Sequence, residues 1–341
     1  MILNLECSGN SIEEVIECYN NNNEQLDYMI DSSNLIDEGA YGGIYLAKYR
    51  ETEEEITVKI QKIEKNNKIN IDAFQNEIIA SQYLQKLNFI FIVETYAYTW
   101  INTEKYIYGL IFMEKLKKTV KEYIEELNKV NELNKVNELI KEIINTIHIL
   151  HTKNVFHSDS HLKNFMISKD NKLRIIDFGF SVLFYNKELK KVEDNLGVKY
   201  NRPKRITGIL NRVSEIFPNK SFDELYENHK DIIRNVLIML DYYLLFMNVC
   251  FIKNINHLEI INNIHKKLKL ESDDDRLNNT EIIFIIFLDD LYSILNVYDN
   301  NFDENDVNNY RIKRRYISAK VLYPKIFSKY EKLLTDNSEE K

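Results

Sequence analysis

His157-Ser158-Asp159-Ser160-His161-Leu162-Lys163-Asn164 is followed by Phe165-Met166-Ile167 and then by Leu173-Arg174-Ile175-Ile176-Asp177-Phe178-Gly179. Asp159 and Asn164 stand five apart, and Asp177 lies eighteen beyond Asp159. Apolar, β-branched runs flank both groups, so three oxygen-bearing side chains are expected at the ends of adjacent strands. There, one carboxylate can orient a hydroxyl nucleophile. The other, with the amide, can ligate Mg2+, which takes hard oxygen ligands and keeps phosphate oxygens in its shell. Asp and Asn that merely cap turns are the plainer alternative. A lone Asp-Phe-Gly is common by chance; this pairing at this distance is not.

Upstream, Ile36-Asp37-Glu38-Gly39-Ala40-Tyr41-Gly42-Gly43-Ile44-Tyr45 reads as a glycine-rich hairpin. Such a hairpin lets backbone N–H groups approach phosphates, although alone it is only a hairpin. Lys59 comes twenty residues after Gly39, inside the strand-like Ile56-Thr57-Val58-Lys59-Ile60. An ammonium among apolar strand residues is costly unless paired. Residues 70–87 have helical periodicity and supply Glu77 as the partner. That pair could hold Lys59 against nucleotide phosphates.

With these motifs in order across roughly residues 34–250, the chain resembles the protein-kinase superfamily, in particular divergent serine/threonine kinases of large DNA viruses. The resemblance implies an α+β, bilobal fold: a small lobe with an antiparallel sheet and one helix, and a larger, mainly helical lobe. It implies ATP and Mg2+ as cofactors and a protein as substrate. Gly39, Ala40, Tyr41 and Gly42 then cover the phosphates, and Lys59, paired with Glu77, contacts them. Ile44, Thr57 and Met166 sandwich adenine, Met113 is the gatekeeper, and Glu114 to Leu116 form the hinge. Asp159 is the catalytic base, with His161 beside it, and Asn164 and Asp177 hold the metal. Asp241 resembles a buried helix aspartate that anchors the catalytic loop. Four of the eight glycines (Gly39, Gly42, Gly43, Gly179) fall inside these motifs, which argues against coincidence.

Several positions depart from the pattern. Asp37 stands where the first loop glycine usually sits. Ser158 replaces the arginine that clamps a phosphorylated activation segment, so switching by that route is not expected. His161 replaces a lysine that steadies the transferred phosphate; a histidine there is also similar to small-molecule phosphotransferases of the aminoglycoside type. Ser81 takes an apolar place one turn after Glu77, which predicts looser helix packing. No Ala-Pro-Glu ends the activation segment, and Gly197 to Pro203 is its expected remnant. Three functions follow from these features: an active protein kinase, most simply for serine or threonine; a pseudokinase that binds a partner; and a small-molecule kinase.

The predicted division is an extension over 1–30, a small lobe over 31–114 and a large lobe over 115–341. Residues 1–30, polar and Asn-rich, are expected to hold one helix and a loose stretch without assigned function. Residues 126–139 hold the tandem ELNKVN-ELNKVN-EL, whose period of six fits no coiled coil. A net charge of −8 argues against a polyanion partner, with Lys313-Arg314-Arg315 the one compact basic run. Three scattered cysteines imply neither a disulfide framework nor a zinc site, hence an intracellular, cytoplasmic home, in a host cell or virion if the source is viral. The bias to Asn, Ile, Lys and Tyr with only three prolines suggests an AT-rich genome, viral or parasitic. The N-terminus has no signal-peptide pattern, and the apolar run Val236 to Ile252, broken by Asp241 and Asn248, reads as core helix, so no membrane span is expected.

Overall fold

A computed structural model describes residues 3–22, 27–39, 42–201 and 203, with scattered helical positions from 234 to 245. The chain divides into two compact units, residues 1–207 and 208–341. In the second, Asp241 is helical and fully buried. Ala40, Tyr41 and the basic run at 313–315 lie outside the described residues.

The first unit opens with strand β1 (Leu3–Glu6) and helix α1 (Ile12–Asn21). Then come β2 (Tyr28–Gly39), β3 (Gly42–Tyr49), β4 (Glu55–Glu64), α2 (Lys68–Lys86), β5 (Thr95–Asn102) and β6 (Tyr106–Glu114). These strands form one six-stranded sheet in the order β1-β5-β6-β4-β3-β2. All its pairings are antiparallel except that of β1 with β5. Past Glu114 come β7 (Leu116–Thr119), α3 (Val120–Lys129), α4 (Leu133–Thr152), β8 (Val155–Phe156), β9 (Phe165–Ser168), β10 (Leu173–Ile175), β11 (Val182–Leu183) and α5 (Lys187–Leu196). Strands β10-β9-β7 form a second sheet and β11-β8 a third. A sheet-rich first half followed by a helical second is the α+β architecture expected.

Alternation along β4 decides what each face of the large sheet does. Ile56, Val58 and Ile60 point one way, into a core with Tyr45, Ala47, Tyr108, Leu110 and Phe112. Thr57 and Lys59 point the other way and pair in register with Met113 and Ile111 of β6. On that second side α2 comes very close: a Cβ on Gly109 would lie 2.4 Å from the Phe74 ring. Phe74 also meets Trp100 edge-on, with centroids 4.5 Å apart.

The first face is closed by the N-terminal segment, whose expected helix is α1. Helix α1 starts in a capping box, in which Ser11 Oγ accepts from the Glu14 N–H and Glu14 Oε2 from the Ser11 N–H, at 3.1 and 3.0 Å. Its Val15, Ile16 and Tyr19 are fully buried, each contributing about 1.5–3 kcal/mol by removal from water. The Tyr19 and Tyr28 rings both stack on Phe112. Cys7, just past β1, is joined to Cys18 of α1 by a disulfide. The reading of the cysteines as unpaired is therefore wrong: the strand-to-helix return brings two residues eleven apart to a Cα separation of 6.2 Å. Cysteine usage gives no argument for a reducing compartment.

The two copies of the hexapeptide adopt different structures. The first ends α3 and turns at Asn131, which has φ 57°; the second opens α4. Val130 is 64% exposed while its repeat equivalent Val136 is buried. Among the described residues no helix is long and apolar enough to cross a membrane.

Tyr19→Ala empties a fully buried, stacked site and should cost about 3 kcal/mol of unfolding free energy. Urea denaturation reads this directly. An unchanged midpoint would mean that α1 does not close the sheet.

Candidate functional site

Lys59 sits in the middle of β4, on the α2 side of the sheet. Its ammonium donates to both carboxylate oxygens of Glu77, at 2.7 and 2.8 Å, and to Asp177 Oδ1 at 3.4 Å. Burial disfavours the charge on Lys59, yet Asp177 and Glu77 outweigh it and hold the lysine pKa above its usual value. Lys59 in turn holds the Asp177 carboxyl below the usual carboxylate range, against the effect of burial. Burial pushes the Glu77 carboxyl up to about 7, with Lys59 opposing. Asp177 also leaves 39% of its side chain exposed, so it can meet a ligand from solvent.

The segment carrying Asp159 and Asn164 is a bonded loop between β8 and β9. The Asn164 amide N–H donates to the Asp159 carbonyl at 2.8 Å and to Asp159 Oδ2 at 3.2 Å. The Ile176 N–H donates to the Asn164 carbonyl at 3.0 Å, tying the loop to the residue before Asp177. Fully buried His157 contacts the Ile176 carbonyl through Nε2 at 2.9 Å and packs its ring on Phe178. Ser158 and Asp177 have φ of 64° and 62°, a left-handed backbone that is uncommon away from glycine and tends to collect at functional sites. His161 Nε2 lies 3.4 Å from Asp159 Oδ2. No arginine precedes Asp159; buried Ser158 donates to the Phe156 carbonyl instead.

The expected nucleotide-lining residues are distributed as follows. Ile44 pairs with Lys59 across β3 and β4, and Thr57 with Met113 across β4 and β6. The Thr57 hydroxyl donates to the Met113 and Glu114 carbonyls, at 3.4 and 3.3 Å. Leu116 and Met166 belong to the second sheet, in β7 and β9. Gly42 is needed for close approach: a Cβ there would fall 1.8 Å from the Ile60 carbonyl oxygen. Gly39 meets no such obstacle. Asp37, in the place of a glycine, accepts from the Glu38 N–H at 2.9 Å.

Two links escaped the sequence reading. Arg174 Nε donates to Glu114 Oε1 at 2.6 Å, with both side chains largely buried. The same oxygen accepts the Glu94 N–H at 2.9 Å. The end of the large sheet is thereby fastened to β10, directly before Asp177. The second link joins α2 to Asn201. Ser81, expected to loosen α2, is buried. The stretch from Gly197 closes α5, with Gly197 left-handed at its C-terminus.

A magnesium–nucleotide pair fits these donors. Among the described residues no three His, Cys, Asp or Glu side chains could enclose an ion by themselves. Asp177 and the Asn164 amide oxygen offer two hard ligands, suiting an ion that completes its shell with phosphate oxygens and water. Lys59, held charged beside Asp177, would supply a cation for the same phosphates.

Residues 30–212 match the family described as protein kinase domain. The chain is similar to human cyclin-dependent kinase-like 5, with 27% identity over 147 residues, covering 43% of this chain and 15% of that protein. It is similar to the Aurora kinase of Saccharomyces cerevisiae, 24% over 147 residues, 43% of this chain and 38% of the relative. To the serine/threonine-protein kinase cek1 of Schizosaccharomyces pombe it is 28% identical over 175 residues, 47% of this chain and 12% of that protein. The chain thus spans well under half the length of these curated relatives.

If Arg174 and Glu114 bind as a unit, a double-mutant cycle with Arg174→Ala and Glu114→Ala should give a coupling of about 1–2 kcal/mol in chemical denaturation. Strictly additive losses would show that the pair holds nothing together.

Proposed function

We propose, from the premise that the chain belongs to the protein kinase domain family, that it transfers the γ-phosphoryl group of Mg–ATP to protein hydroxyls, those of serine or threonine. One observation carries the reading: the Lys59–Glu77 pair, Asp177 and the Asp159–Asn164 loop are bonded to one another within one unit. The serine/threonine preference is supported by the similarity to the serine/threonine-protein kinase cek1. In this reading residues 31–114 are the small lobe and residues 115–341 the large one.

The roles follow from the contacts. Asp159, whose Oδ2 accepts from the Asn164 amide, orients the acceptor hydroxyl and receives its proton. Lys59 binds the α- and β-phosphates with its charge already balanced, and Glu77 fixes its position. Asp177 and Asn164 would hold magnesium, which when bound would offset phosphate charge. His161, beside Asp159, donates a hydrogen bond toward the transferred group in the place of a lysine. Ile44, Thr57 and Met166 hold adenine, with Met113 behind and the Glu114 to Leu116 backbone beside it. Gly39 to Gly42 cover the phosphates. Since little covalent chemistry falls to the protein, positioning and electrostatics account for most of the catalysis.

A second reading, a module that binds nucleotide or a partner without turnover, is favoured by Asp37, whose carboxylate takes up the Glu38 N–H in the hairpin. Incubation with labelled ATP and Mg2+ separates the two. The proposal expects label on a peptide array, and Asp159→Asn or Asp177→Ala should each lower the rate at least ~100-fold, as when one preorganised electrostatic group is removed. Binding without transfer favours the second reading, and near-normal transfer by Asp177→Ala would overturn the assignment.

A further inference from the structure

Asn76, directly before Glu77 on α2, is a fully buried primary amide. It is used as a strand would use its backbone: its N–H donates to the Asn201 carbonyl, and its oxygen accepts from the Asn201 N–H at 3.0 Å. The Asn201 side chain reaches one turn back along the helix and donates to Asp72 Oδ1 at 3.1 Å. At the other end of α2, Lys86 pairs with Glu188 at 2.9 Å, and Tyr83 Oη accepts from Asn186 at 2.6 Å. A Cβ on Gly179 would lie 3.3 Å from the Ala73 carbonyl oxygen, so the Asp-Phe-Gly turn also presses on this helix.

The segment that makes these contacts is bonded within itself. The Tyr200 hydroxyl donates to the Ser181 carbonyl and accepts the Leu183 N–H, both at 3.1 Å. Buried Glu193 of α5 accepts the Tyr200 N–H at 2.8 Å and the Tyr185 hydroxyl at 3.1 Å. Hydroxyl, carboxylate and backbone groups make these links. Ser158, uncharged and buried, offers nothing for a phosphate to pair with.

We propose that the Asn76–Asn201 amide pair is a built-in latch: it fixes the rotation of α2, and so the seat of Glu77 on Lys59, making Asn76 a positioning residue and the unphosphorylated enzyme fully assembled. This regulation of the site rests on the phosphotransfer reading above. Residues 76 and 77 are neighbours about 100° apart around the helix, so one rotation of α2 breaks both the latch and the Lys59–Glu77 pair.

The test uses the full chain and four proteins: wild type, Asn76→Ala, Glu77→Gln and the double variant. Asn76→Ala should lower kcat ~10-fold or more, with KM for ATP changed far less, since small misplacements remote from the chemistry act on positioning. In the Glu77→Gln background the same change should have almost no further effect, because its route is already cut. Phosphatase treatment of the wild type should leave its rate unchanged. Equal losses in both backgrounds, no loss in the wild-type background, or inactivation by phosphatase would each overturn the latch. If the wild type transfers no phosphate, the function reading fails, and hydrogen exchange still decides the latch. Residues 68–86 and 187–201 should then exchange faster together in Asn76→Ala, with β5 and β6 unaffected; unchanged protection there would refute it.

Discussion

A positive charge in the middle of a buried strand constrains much of this molecule. Lys59 has apolar residues on both sides along β4, and leaving its ammonium unpaired there would cost more than several core contacts could offset. Its two carboxylate partners come from elements far apart in the chain, Glu77 on α2 and Asp177 after β10. Helix and loop must therefore converge on one side of the sheet. Phe74 lying over Gly109, and Arg174 fastening β10 to Glu114, are the packing consequences of that convergence.

The opposite face of the sheet is largely apolar, with the Lys62 ammonium resting over the Tyr106 ring, and is solved differently. Strand alternation gives it Ile56, Val58, Ile60, Leu110 and Phe112, an apolar surface that requires a cover. Helix α1 is that cover, and strand β1 and the Cys7–Cys18 link hold it in place. One sheet thus separates a polar working side from an apolar supporting side.

What could be read in advance was whatever is written in local order. Gly39 to Gly42 with Lys59, and Asp159 with Asn164 and Asp177, form two groups whose internal separations are set by short strands and turns, so a linear scan finds them. Arg174 with Glu114, and Asn76 with Asn201, join residues 60 and 125 apart, and no local period announces such pairs. The disulfide needed the return of β1 into α1. The role of α1 had a signal that went unused: Ser11-x-x-Glu14 is a capping box, and positions 12, 15, 16 and 19 form one helical stripe. Its Asn-rich surroundings obscure it. Composition described the neighbourhood and hid the pattern.

The turn at Asn131 bears on how the duplicated hexapeptide could enter a helical region at all. Six extra residues inside a continuous helix advance its phase by about 600°, so the apolar stripe downstream would emerge on the wrong side. Here the added letters straddle a left-handed corner, where direction is reset. Ile140, Ile143, Ile147 and Leu150 of α4 still point inward as one row. A corner of this kind acts as a phase buffer: insertions that land on it change the chain's length without scrambling the interior behind it.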